Sequence, residues 1–236
     1  VSLQNRVAVV TGATGGLGRI VCAALAERGA KLVIVSTNME KLNALARELN
    51  LSSERFLAHA AQLSDAAAAQ ELARAVMDKF GRADILAHLV GGWLGGKPIA
   101  ETEAAQVQEM LDQHVWTTFH LTHAFAPLLL ANQWGRVFVI SSPTASNPLA
   151  KRAPYAIGKA AQEVLLLTLA REVAGTGVTA NVLLVDTIDT QHERDTAPTP
   201  KNAKWTTPEE IAAAILYLCS DAAHVVNGAR IPLFGG

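Results

Sequence analysis

The sequence predicts an α/β fold, a doubly wound parallel sheet with helices on both faces, within a single domain spanning 1–236. Two observations carry that expectation. Seven short apolar runs of strand length alternate with longer stretches of helical character, and a glycine-rich turn joins the first run to the first helix. Composition agrees: 50% of the 236 residues are apolar and 17% are charged, enough to bury a sizeable core, which excludes disordered and fibrous classes.

The first strand is read at Arg6–Thr11 and the first helix at Gly16–Arg28. Lys31–Ser36 and helix Met39–Leu49 follow, then Arg55–Ala60 and helix Asp65–Phe80. The fourth strand, Ile85–Val90, precedes a long helix read from Glu103 to Ala131. Arg136–Ser141 leads to helix Tyr155–Val173. Val178–Val185 leads through a polar surface loop, Gln191–Thr206, to helix Pro208–Cys219, and Ala229–Leu233 closes the sheet. Runs this apolar fit strands buried on both faces. In such sheets ligands bind beyond the carboxyl ends of the strands, so the functional residues are expected after the first, fourth, fifth and sixth.

Charge and cysteine usage narrow the class. Twenty basic against twenty-one acidic side chains leave a net charge of −1, no field to gather nucleic acid or an anionic membrane surface. Cys22 and Cys219 have no partner spacing, so a disulfide framework or cysteine zinc site is not expected and a reducing, cytoplasmic setting fits. The start of the chain lacks the pattern of a signal peptide. Gln113–Gly135 contains no Asp, Glu, Lys or Arg. Its histidines, threonines and Pro127 would be costly in hydrocarbon, so the expectation is a helix covered by its own sheet and by a second copy of the chain. His120 and His123 stand three apart without a third ligand, and no metal is expected.

The turn Thr11-Gly12-Ala13-Thr14-Gly15-Gly16-Leu17-Gly18 follows a strand and opens a helix. Glycines let the backbone approach a pyrophosphate, and the free amides at the helix start favour its charge. Gly12, Thr14, Gly16, Leu17 and Gly18 are therefore candidate dinucleotide contacts. The second strand ends at Ser36-Thr37-Asn38, where an acidic side chain would hold the ribose of NAD. These donors suit a 2′-phosphate instead, which leans the reading from NAD to NADP.

Tyr155 and Lys159 are four apart on a predicted helix and share a face. An ammonium about 4 Å from a phenol at an effective dielectric of ~20 contributes ~4 kcal/mol, the amount that brings a pKa of ~10 to near 7. Tyr155 is then a general acid or base at neutral pH. Ser142 ends the fifth strand, where a loop can return it to Tyr155 to hold a substrate oxygen.

Together the glycine turn, Ser142, the Tyr155-x-x-x-Lys159 pair, Asn227-Gly228 and Gly235-Gly236 resemble the short-chain dehydrogenase/reductase family over essentially the whole chain. The resemblance implies a Rossmann-like fold and an NAD(P)-dependent oxidoreductase acting on a small carbonyl or alcohol. It implies that Tyr155 transfers the proton, Lys159 binds the nicotinamide ribose, Ser142 orients the substrate, and the chain forms a homodimer or homotetramer through the Gln113–Gly135 helix. The sequence departs from the family at several points. His88-Leu89-Val90-Gly91-Gly92 replaces Asn-Asn-Ala-Gly, with Val90, Gly91 and Gly92 still expected against the cofactor. Gln62, followed by Leu63, takes the place of an adenine-binding aspartate. His114 stands where the family has a catalytic asparagine and is a candidate for proton relay. Val185-Asp186 replaces Pro-Gly, while Ile188 and Thr190 keep positions set against the nicotinamide carboxamide. The stretch around Gly92-Trp93, with Trp116-Thr117 and Trp205-Thr206, looks like the dihydropteridine reductases of the family, which adds quinonoid pterin reduction as an alternative, with Trp93 stacking on the substrate. A non-catalytic dinucleotide-binding regulatory or scaffold protein is the remaining alternative. His114 and Val185-Asp186 point toward it; Ser142, Tyr155 and Lys159 stand against it.

Overall fold

The computed structural model describes residues 1–234. Seven strands form one parallel sheet: β1 (Val7–Thr11), β2 (Lys31–Ser36), β3 (Phe56–Ala60), β4 (Ile85–His88), β5 (Gly135–Ser141), β6 (Val178–Leu184) and β7 (Arg230–Pro232), in the order β3-β2-β1-β4-β5-β6-β7. The helices are α1 (Gly16–Glu27), α2 (Met39–Leu49), α3 (Ala66–Phe80), α4 (Ala104–Leu111), α5 (Thr117–Ala131), α6 (Ala153–Glu172), the short α7 (Glu193–Thr196) and α8 (Pro208–Leu218).

Alternation along the strands builds two cores. Ala8 and Val10 of β1 pack with Leu25 of α1, Leu42 of α2 and Ile215 of α8, whereas Val7 and Val9 pack with Val76 of α3, Phe125 of α5 and Leu166 of α6. Because both faces are covered, a strand with a polar side would bury it unpaired, hence the continuous apolar runs. Side chains start the helices where the sequence supplies them: Asp65 caps α3, and Thr207 with Glu210 forms a capping box on α8. At the amino ends of the strands Trp134 lies between the guanidinium groups of Arg6 and Arg136, 3.8 and 4.3 Å from its ring centroid.

Three expectations need correction. The long helix Glu103–Ala131 is interrupted by a π-helical turn, Asp112–Trp116, between α4 and α5. This turn widens the helical repeat locally, so His114 and Thr117 reach the strand ends while Leu121, Phe125 and Leu129 keep to the core face. The fourth strand stops at His88, two residues early, because Leu89 to Gly92 leave the sheet to border a cleft. Gln191–Thr206 is more than a bare loop. It carries α7, whose first amides Glu193 N–H and Arg194 N–H donate to the Asp189 carboxylate at 2.9 and 2.8 Å, and Arg194 grips Glu210 of α8 at 2.7 Å. Gly235-Gly236 lie outside the described residues. Among the described residues no helix is long and apolar enough to cross a membrane.

Candidate active site

Neighbours of β1 diverge, with β2 on one side and β4 on the other, and the chain opens a crevice at this switch point. Two adjoining clefts of about 420 and 390 Å³ lie there and share Leu89, Val90 and Gly91. Gly12, Thr14, Ser36, Thr37, Gln62 and Leu63 line the first; Leu17, Gly92, His114, Tyr155, Lys159, Val185 and Ile188 line the second.

The first cleft is shaped for a pyrophosphate. Alone among the longer helices that follow the first three strands, α1 begins without a side-chain cap, and its first turn holds no acidic residue, so its leading amides are free. Gly12 has φ +69°, and a Cβ there would sit 3.1 Å from Leu89 C and Val90 N. A Cβ on Gly16 would sit 2.6 Å from Cγ2 of Thr190, which places Thr190 across from the helix start. Gly18 serves packing rather than lining: its Cβ would come within 2.7 Å of Ala13 Cα and closer still to Gly12 O. These residues fit a dinucleotide phosphate bridge. Beside it, Thr14 donates to Ser36 Oγ at 3.0 Å and Asn38 N–H donates to the same oxygen at 3.3 Å, which leaves the Ser36 proton to donate outward. Asn38 departs from its expected place: its side-chain oxygen caps α2 by accepting from Lys41 N–H at 2.9 Å, and Asn38 is absent from the lining of the cleft. Gln62 donates to Ser64 Oγ at 3.3 Å, leaving its amide oxygen as an acceptor.

Chemistry gathers in the second cleft. Lys159 is buried, 6.0 Å from the Tyr155 ring centroid, and donates to Ile140 O at 2.7 Å and Gln162 Oε1 at 3.0 Å. Burial pushes its pKa down to about 7, opposed by the Glu163 carboxylate. The expected acidification of Tyr155 does not hold. Burial raises the phenol above its ordinary value, a hydrogen bond with Ser142 and the charge of Arg152 pull it back in part, and Asp186 raises it further. The ammonium turns toward a strand carbonyl and an amide instead of the phenol, and the raised phenol keeps its proton at neutral pH.

Ser142 is buried and accepts from Thr144 N–H at 3.3 Å, whereas the hydroxyl of neighbouring Ser141 donates to Glu163 at 2.5 Å. Ser142 is thus the hydroxyl left beside Tyr155. His114 meets Tyr155 edge-on at 5.7 Å and hydrogen-bonds Gly92 O at 3.1 Å. A carbonyl only accepts, so Nε2 carries the proton and Nδ1 is an acceptor, buried without a partner among the described residues. Burial, then the Lys159 charge, pushes His114 down to about 3. His88, also pushed down to about 3 by burial, is held by Thr11 at 2.7 Å and Thr117 at 3.2 Å. The Thr117 hydroxyl donates to Gln113 O, so it accepts from His88 Nε2–H, and Thr11 donates to Nδ1.

Arg152, Gln162 and Glu163 were not singled out from the sequence. Gln162 had a legible signal, a polar residue on the buried face of a helix; Arg152 had none. Among the described residues no group of three or more His, Cys, Asp or Glu converges as for a metal ion.

The sequence profile described as short chain dehydrogenase matches residues 6–201, a span that holds the glycine turn, Ser142, Tyr155 and Lys159. The chain belongs to the short-chain dehydrogenase/reductase family. An uncharacterized oxidoreductase of Staphylococcus epidermidis is 30% identical over 94% of both chains. A 2,3-dihydroxy-2,3-dihydro-p-cumate dehydrogenase of Pseudomonas putida is 30% identical over 99% of this chain and 95% of its own length. Mycolicibacterium smegmatis D-threitol dehydrogenase is 30% identical over 99% of this chain and 93% of its own. A solved short-chain type dehydrogenase/reductase from Mycobacterium ulcerans superposes with a TM-score of 0.89 at 25% identity, covering 99% of this chain and 90% of that one. As a member of the short-chain dehydrogenase/reductase family, the protein is an oxidoreductase that uses a nicotinamide dinucleotide.

Proposed function

We propose that this short-chain dehydrogenase/reductase transfers a hydride between a nicotinamide dinucleotide and a small carbonyl or alcohol substrate by a Ser-Tyr-Lys mechanism, with one domain carrying both sites. The observation that carries the reading is Tyr155, its phenol raised by burial and Ser142 beside it, in the same cleft as the Lys159 ammonium. The bound dinucleotide supplies or accepts the hydride. In reduction Tyr155 gives its proton to the substrate oxygen, Ser142 holds that oxygen, and Lys159 returns a proton. Neutral His114 serves the relay as an acceptor. A Cβ on Gly91 would lie 3.6 Å from both His114 Nδ1 and Lys159 Nζ, which sets the two nitrogens against the same glycine.

For the dinucleotide, Ser36 and Thr37 offer hydroxyl donors without a carboxylate, which supports NADP. For assembly, the π-helical turn, α5 and α6 expose Trp116, Phe119, Leu130, Ile157 and Val164, apolar area that a second copy of the chain would cover in a homodimer or homotetramer. Trp93 lines the second cleft and is 55% exposed, a stacking surface that keeps the pterin reading in play.

Titration with NADPH and NADH, followed by turnover on ketones, aldehydes, vicinal diols and hydroxyketones, quinones and quinonoid pterins, tests the reading. Diols are included because the p-cumate and D-threitol relatives are named for diol or polyol substrates. Tighter NADPH and turnover on one class are expected. Clearly tighter NADH removes the NADP assignment, and binding without turnover across the panel favours the non-catalytic reading.

A further inference from the structure

Gln162 lies three residues beyond Lys159 on α6 and is fully buried, on the face that a helix packed against a sheet normally gives to apolar side chains. A buried amide is costly unless both of its ends are paired. Here both are. Oε1 accepts from Lys159 Nζ at 3.0 Å, and Nε2 donates to Thr118 Oγ1 at 2.9 Å. The Thr118 hydroxyl donates in turn to the His114 carbonyl at 2.6 Å. Every bond in this chain has one direction, because an ammonium only donates and the single Thr118 hydrogen is committed to a carbonyl. With Ile140 O at 2.7 Å, two of the three Lys159 protons are fixed and the third is left for the cleft.

We propose that Gln162 is a positioning residue: it holds the Lys159 ammonium charged and aimed at the cleft, and ties it to the π-helical turn that carries His114. The inference rests on the role given to Lys159 above and adds how that ammonium is maintained. Glu163 and Tyr155 face Lys159 from its own helix, His114 from the π-helical turn, His88 from β4, and Asp186 from beyond β6. The histidines are neutral. Glu163 is engaged by Ser141 and by Arg230, the latter at 2.7 Å, so it acts on Lys159 through space. Among the described residues Gln162 is the only side-chain acceptor bonded to the ammonium. Since burial brings Lys159 to about 7, one acceptor decides its charge near neutrality.

The test is the pH titration of the Lys159 side chain by NMR on ¹³C-lysine-labelled protein without substrate, its signal assigned by loss in Lys159→Met. Gln162→Met keeps the shape without the acceptor and is expected to lower the midpoint by about one pH unit, the size of a hydrogen bond to a charged group. Gln162→Glu puts a carboxylate in the same place and is expected to raise it. Thr118→Val frees the amide and lowers it by less, and with Gln162→Glu it decides the matter should Gln162→Met not fold. In turnover, the alkaline limb of the reduction rate moves with the midpoint. Midpoints that stay put, or that shift the same way with Met and Glu, overturn the proposal. Undiminished turnover in Lys159→Met instead overturns the role of Lys159 and leaves the titration result standing.

Discussion

Two imidazoles buried beside the cleft, His88 and His114, make the molecule sensitive to acid. Their folded pKa values are pushed down to about 3, below the ordinary 6.5 that applies once the chain unfolds. Below pH 6.5 the unfolded chain therefore binds protons that the folded chain refuses, and stability falls as pH drops from about 6.5 toward about 3. Each histidine accounts for about 2 kcal/mol lost between pH 7 and pH 5. Urea unfolding at the two pH values is expected to show this fall, with His88→Gln removing about half of it. Lys159 works in another window: the cost of its depressed pKa is complete below about pH 7 and is relieved as pH rises toward 10.5. At this scale the sequence displayed Tyr155, Lys159 and Ser142 by spacing alone. It did not display where the ammonium points, because the Ile140 carbonyl that draws it comes from a strand nineteen residues earlier.

Glycines at the start of α1 divide their work between fold and ligand. A Cβ on Gly18 would collide with the backbone of Gly12 and Ala13, atoms that have nowhere to retreat, so Gly18→Ala is expected to cost about 3 kcal/mol in urea unfolding. A Cβ on Gly16 meets no backbone within the same reach, only the Thr190 side chain, Cγ2 at 2.6 Å and Cβ at 3.3 Å. Gly16→Ala is therefore expected to cost less stability than Gly18→Ala and to weaken dinucleotide binding roughly tenfold, about 1.4 kcal/mol, by crowding the phosphate cradle. A calorimetric titration beside the unfolding curve separates the two. Strands were legible because burial on both faces forces apolar runs such as Val7–Thr11. The break at Asp112–Trp116 was not, since a π-helical turn uses the same residue preferences as the helix around it. Its trace in the sequence is the placing of His114, Thr117 and Thr118 where polar groups would otherwise face the core.

Across the whole molecule, the single parallel sheet sets the crevice at the carboxyl ends of β1 and β4, while α5 and α6 present apolar side chains to solvent on one flank. The charge-free stretch of α5 made that flank visible in the sequence. The share of α6, Ile157 and Val164, was hidden because the same helix carries Lys159 and Glu163 on its buried face. Light scattering is expected to give a mass at least twice the 24.9 kDa of one chain. Phe119→Asp, which places a charge beside exposed Trp116 and half-buried His120 in one aromatic row, is expected to return it to a single chain. The central claim is proton donation by Tyr155, and the most direct measurement is single-turnover hydride transfer in Tyr155→Phe beside its dinucleotide affinity. A fall of ~10²–10⁴-fold in the rate with affinity within about threefold is the predicted result. A rate equal to that of the native protein would contradict it.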